Sequence, residues 1–209
     1  MTAGQGRPTY PYVLGLDLDL TLVDTRPATR LALHRAGGEL GLRIDVERAA
    51  AATGAAFRDT VRPWVPPDAL PAFAAAFRRA FLTEGIALVR PMPGAAHLCA
   101  AVGAAGGRCA VVTGRRPDTA TACLSACSLP VASLDGSVVG AAKGAVLRRR
   151  SARLFAGDHP LDMVAAATAG IPAVGVTTGA HDAAALRAAG ADTVVPSLRA
   201  LLALLPTDP

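Results

Sequence analysis

Aromatic residues make up 4% of the chain, and lysine occurs only once. Scarce aromatics leave no stacking platform for single-stranded nucleic acid, so a net charge of +5 does not mark a nucleic-acid binder. The basic residues are scattered except for Arg148-Arg149-Arg150, which reads as a solvated helix end. A diffuse positive field instead suits small phosphorylated anions. Cys99, Cys109, Cys123 and Cys127 form no CxxC pair, which leaves reduced, buried thiols as the reading. No apolar run reaches the ~18 residues of a membrane span. Residues 1–12 lack the apolar core of a signal peptide, so the expectation is a cytoplasmic protein without a membrane partner. A charged fraction of 18% against 52% hydrophobic excludes disorder and supports a sizeable core.

Positive charge comes from 20 arginines and the single Lys143. A lone lysine among arginines can mark a place where a compact ammonium fits and a planar guanidinium does not. The 209 residues suffice for one α/β domain with an insert. Residues 12–17 read as a strand, and residues 28–85 follow helical periodicity without a strand-like interruption. After the break at 90–94, apolar runs (108–114, 129–136, 152–158, 171–179 and 192–196) alternate with helical stretches. That alternation predicts right-handed crossovers and a doubly wound, Rossmann-like parallel sheet covered on both faces. The predicted division is an α/β core over 1–23 and 91–209, with an inserted all-helical cap over 24–90.

Ligands of open parallel sheets bind beyond the carboxyl ends of the strands. There this chain places Asp17, Thr113-Gly114 and Asp158. Asp19 lies two residues past Asp17, and Asp162 falls in the first turn of a helix that Pro160 is suited to begin. Lys143 starts the preceding helix and can lean to the same edge. Carboxylates gathered this way repel one another unless a cation intervenes, and Mg²⁺ takes a few carboxylates together with a substrate phosphate. The set therefore points to phosphoryl chemistry. One carboxylate can be the nucleophile and a second the proton-transfer group, while a hydroxyl, backbone amides and Lys143 hold the transferring oxygens.

In this order and spacing, DLDLT (17–21), VVTG (111–114), Lys143 and GDHPLD (157–162) resemble the four motifs of the haloacid dehalogenase superfamily of phosphatases. PMPG at 91–94 resembles the return from a helical cap in phosphoglycolate phosphatase-like members. The resemblance implies that Asp17 attacks phosphorus to form an aspartyl-phosphate, and that Asp19 protonates the leaving group and then activates water. It implies that Thr113, Gly114 and Lys143 bind the phosphoryl group. Mg²⁺ would be held by Asp17, the backbone carbonyl of Asp19, Asp158 and Asp162. Leu20 stands where the first motif often has glycine, and His159 stands where small or hydroxyl residues are common.

The substrate expectation is a small phosphorylated metabolite, phosphoglycolate by resemblance. Arg58 and Arg62, four residues apart, can share a helix face above the site and fork to a substrate carboxylate. His159 reads as structural or supporting, Asp24 as ordering the entry to the cap, and Arg115 and Arg116 as bordering the phosphate or simply lying on the surface. A sugar phosphomutase of the same superfamily and a catalytically idle, partner-binding scaffold are the alternatives.

Overall fold

In the computed structural model, which describes residues 12–51 and 56–205, six parallel strands form one sheet. They are β1 (Val13–Leu16), β4 (Arg108–Val112), β5 (Ser133–Asp135), β6 (Ala152–Gly157), β7 (Ala173–Val176) and β8 (Thr193–Val195). Their order is β5-β4-β1-β6-β7-β8, so β1 lies centrally, between β4 and β6. This is the predicted parallel sheet, with strands slightly shorter than the apolar runs suggest.

Helices cover both faces, which is why β1 can be apolar throughout. Leu14 and Leu16 enter one core with Leu98, Val111 and Leu201. These join α5 (Ala95–Ala104) and α10 (Leu198–Leu202) to the sheet. On the other face, Leu147 of α7 (Ala142–Arg149) and Met163 of α8 (Pro160–Ala169) pack with Phe155. Farther along the sheet, α9 (Ala183–Ala188) lies against β7, where a β-carbon at Gly175 would meet the Leu186 side chain at 3.0 Å. Gly15 points toward α7: a β-carbon there would lie 2.7 Å from the Leu147 side chain. Asp17 shares the parity of Gly15 along the strand, so it leaves the sheet toward α7 and α8.

The helical stretch enters and leaves through an antiparallel ribbon that hydrophobic periodicity did not reveal. Here β2 (Val23–Asp24) pairs with β3 (Arg90–Pro91). Two residues per strand are too few to register as a period. Asp24 orders this entry as expected, accepting from the Arg26 backbone at 3.0 Å and from the Arg26 guanidinium. Between Asp24 and Arg90, every described element is helical. The main ones are α1 (Arg26–Leu40), α2 (Val46–Ala51), α3 (Phe57–Val61) and α4 (Leu70–Ala80). Leu33, Ala36, Val61, Phe73 and Ala76 give this segment a core of its own.

Candidate active site

Asp17, Thr113 and Asp158 follow directly on β1, β4 and β6, and all three are buried. The Asp17 backbone N–H donates to the Ala156 carbonyl at 2.9 Å, which continues the sheet one residue beyond β1 and fixes the carboxylate at its edge. Leu20 then turns the chain with a left-handed φ of 59°, where a leucine is strained and a glycine is not. The strain is tolerated because Leu20 is buried, donates to the Val23 carbonyl at 2.8 Å and accepts from the Thr178 hydroxyl at 2.6 Å.

Lys143, 5% exposed, comes from the first turn of α7. Its ammonium donates to Asp17 Oδ1 at 2.6 Å and to Asp162 Oδ1 at 2.7 Å. Burial lowers its pKa, but the two carboxylates more than offset that and raise it above the ordinary value, so the group stays charged. Asp162 sits in the first turn of α8, which begins at Pro160 as expected. His159 is the N-cap. Its Nδ1 accepts from the Leu161 N–H at 3.0 Å, while its backbone N–H donates to Asp162 Oδ2 at 3.2 Å. That makes His159 a residue that orients Asp162, in line with the structural reading. Burial, aided by the neighbouring His181, lowers its pKa and favours the neutral ring that the cap needs.

Asp17, Asp158 and Asp162 each bring one carboxylate oxygen within 4.8 Å of the others, and all three are buried. Burial, then repulsion from Asp17 and Asp162, pushes the Asp158 carboxyl well up, while the Thr21 hydroxyl donates to its Oδ1 at 3.0 Å. Gly157 and Gly179 wall this cluster. A β-carbon at the first would overlap the Asp162 carboxylate, and at the second the Asp158 carboxylate. Three hard oxygen donors in a cradle that only glycine leaves open fit a divalent cation. The Asp19 carboxylate is not one of the three.

Asp19 is instead gripped from the side. Arg115 Nε lies 3.0 Å from both of its oxygens, and the Thr25 hydroxyl donates to Oδ1. Arg115 is not a surface residue: its side chain is 10% exposed and its guanidinium stacks 4.4 Å from the Phe81 ring centroid. The loop residue that leads into α6 (Pro117–Ala126) is thus tied across 96 positions to the first motif. Sequence patterning leaves Arg115 either beside the phosphate or on the surface, and it cannot supply that partner. Removing one member of a buried ion pair strands the other, so Arg115→Met is expected to lower folding stability by ~3 kcal/mol. Chemical denaturation reads the change. An unaltered midpoint would show that the pair contributes nothing.

Asp17, Asp19, Thr113, Gly114, Lys143 and Asp162 all border one cavity of about 180 Å³, whose far side is formed by α1, α3 and α4. Arg58 and Arg62 do share a face of the short α3 region, but it is the solvent face. Both are exposed, and neither borders the cavity. α3 turns Phe57 and Thr60 inward instead, and the arginines at the cavity are Arg78, Arg115 and Arg116. Phe57, Phe77 and Thr29 carry no functional signature in sequence, because an aromatic or threonine at helical spacing reads as core.

Residues 138–201 match the family model described as HAD-hydrolase-like. None of the curated proteins matches the chain. Among solved structures, a haloacid dehalogenase-like family protein from Streptococcus pneumoniae superposes with a TM-score of 0.81. Its identity is 18%, over 93% of this chain and 98% of that one. A protein described as a predicted phosphoglycolate phosphatase from Haemophilus somnus gives 0.77 at 21% identity, over 95% and 99%. CbbY from Rhodobacter sphaeroides, in complex with phosphate, gives 0.75 at 20% identity, over 92% and 96%. Residues 138–201 thus match a HAD-hydrolase-like model in sequence, and nearly the whole chain shares its fold with haloacid dehalogenase-like proteins, which the four motifs resemble.

Proposed function

We propose that the protein is a Mg²⁺-dependent phosphatase that hydrolyses a small phosphate monoester through an aspartyl-phosphate, with residues 24–90 as its cap. The observation that carries this reading is the ammonium of Lys143 held between Asp17 and Asp162, at the floor of a cavity that also receives Asp19 and Thr113.

Asp17, Asp158 and Asp162 would hold Mg²⁺, which when bound supplies positive charge to the phosphoryl oxygens. Lys143 occupies Asp17 Oδ1, and no described residue donates to Oδ2, the oxygen available to attack phosphorus. The new bond joins Asp17 Oδ2 to phosphorus as the ester P–O bond breaks, and Asp19, once it has taken up a proton from solvent in exchange for its Arg115 contact, gives that proton to the departing alkoxide. Water then attacks the aspartyl-phosphate, Asp19 takes a proton from it, and the bond to Asp17 breaks to release phosphate. Thr113, the backbone at Gly114, and Lys143 would hold the non-bridging oxygens. The partner is a small phosphorylated metabolite in the cytoplasm, and phosphoglycolate, the ester the resemblance suggests, belongs in the panel that tests it.

Phosphate release from a panel of esters tests the reading, with Mg²⁺ and then with excess chelator. Activity is expected only with the metal, and full activity in metal-free buffer would remove the acidic cluster from the mechanism. Release of inorganic phosphate, rather than its return to the organic product, separates a phosphatase from a phosphomutase.

Burial, then repulsion from Asp162 and Asp19, outweighs the pull of Lys143 and raises the Asp17 carboxyl from its ordinary 3.8 to about 7. A proton is therefore bound more tightly in the folded chain than in the unfolded one. That contribution to stability is full below 3.8 and is lost as pH rises through about 7 in metal-free protein. A cation competing for the same oxygen gains over that window. The rise in melting temperature caused by Mg²⁺ is thus expected to grow from pH 5 to pH 8. A rise that shrinks with pH would place the cation elsewhere.

A further inference from the structure

The cavity has two unlike halves. Its floor is charged, but its roof presents Leu33 from α1, Phe57 from α3, and Ala74 and Phe77 from α4. Phe57 and Phe77 are half-buried, with ring centroids 4.7 Å apart, so part of this aromatic pair faces the cavity. Thr29 lies one turn before Leu33 on α1 and borders the same space. It is 7% exposed, and its hydroxyl has no hydrogen-bond partner among the described residues. A threonine in a helix ordinarily has the carbonyl one turn back within reach, and leaving a buried hydroxyl unmatched is costly. An unpartnered hydroxyl at the wall of a cavity points to a partner that arrives with the ligand.

We infer that the substrate is a phosphate monoester of a compact, mainly apolar alcohol, one of whose polar atoms hydrogen-bonds the Thr29 hydroxyl. This rests on the phosphatase reading above and narrows its substrate class. A polyol or sugar phosphate would bring several hydroxyls against Leu33, Phe57, Ala74 and Phe77, where they would lose their water partners. A carboxylate ester such as phosphoglycolate would need a free cation near the roof. Arg78, however, pairs with Asp118, Arg115 is committed to Asp19, and Arg116 turns mostly to solvent with its Nε 3.8 Å from the same Asp118. An apolar body matches the wall, and a single acceptor or hydroxyl satisfies Thr29.

The test uses esters of matched primary alcohols, so that leaving-group chemistry stays constant. These are 2-phenylethyl phosphate, its 2-, 3- and 4-hydroxyphenyl analogues, phosphoglycolate, glycerol 3-phosphate and glucose 6-phosphate, all with Mg²⁺. The phenylethyl esters are expected to have higher kcat/KM than the three hydrophilic ones. At least one hydroxyphenyl analogue should exceed its parent by about 3- to 10-fold, the effect of one hydrogen bond. Thr29→Val should erase that gain, so that within the variant the hydroxyphenyl analogue no longer exceeds its parent, and Thr29→Ser, which keeps the hydroxyl, should retain it. Faster turnover of the hydrophilic esters overturns the inference and leaves the phosphatase standing. So does a hydroxyphenyl gain that is absent or that survives Thr29→Val. Hydrolysis of none of the seven, in a sample whose melting temperature responds to Mg²⁺, removes the phosphatase reading itself.

Discussion

Asp17→Asn is expected to abolish phosphate release while the chain remains folded. The substituted amide would retain a carbonyl oxygen to accept from Lys143, whose ammonium lies 2.6 Å from Asp17 Oδ1, so the local packing survives. That amide has no electron pair able to displace an alkoxide at phosphorus, so the loss should exceed the ~100-fold that removal of a general acid or base alone can produce. Thermal stability of metal-free protein should hold or rise, because the substitution removes one charge from a cluster with Asp158 and Asp162. Steady-state kinetics on the best ester, paired with a melt, reads both effects. Turnover above a hundredth of wild type in a folded sample would mean that Asp17 is not the nucleophile.

Lys143→Arg should be nearly as damaging as Lys143→Ala, although arginine is this chain's usual cation. The ammonium sits at 2.6 and 2.7 Å from two carboxylates that diverge from β1 and α8, with the Phe155 ring beneath it. A guanidinium is wider and planar, and its donors fork in fixed directions suited to one carboxylate rather than two. The side chain is almost wholly buried, and the one space it borders is the cavity that would receive the phosphoryl group, so the larger head would intrude there. Lys143→Ala adds a second cost, because it leaves Asp17 and Asp162 without their counter-charge, worth ~3–5 kcal/mol for a buried pair. The two variants should thus share a loss of ~100-fold or more in kcat, while only the alanine variant is strongly destabilised. Near-wild-type turnover by the arginine variant would make Lys143 a mere charge.

The parallel sheet was legible because its causes are local. Apolar runs of strand length alternate with helical periods, and Pro160 announces α8. The carboxylates could be read for the same reason. A charged residue that ends an apolar strand is conspicuous anywhere, and Asp17, Thr113, Lys143 and Asp158 follow in a recognisable order. The β2–β3 ribbon was invisible because two residues carry no period.

Backbone periodicity and the cost of burying charge near its own segment are local, and they account for the sheet, the helical stretch and the residue types at the strand ends. The partnerships among those residues arise only when distant segments pack together. Parity along β1 sets the side on which Asp17 leaves the sheet, but only the packing of α7 and α8 there brings Lys143 to it. Arg115 reaches Asp19 because β4 lies beside β1, and Phe81 of the insertion supplies the ring on which it stacks. Arg58 and Arg62 face solvent while Phe57 and Thr29 face the cavity, because the rotation of a short helix is fixed by what it packs against and not by its own spacing. These are contacts between residues tens of positions apart, and no local pattern encodes a distance that folding alone closes.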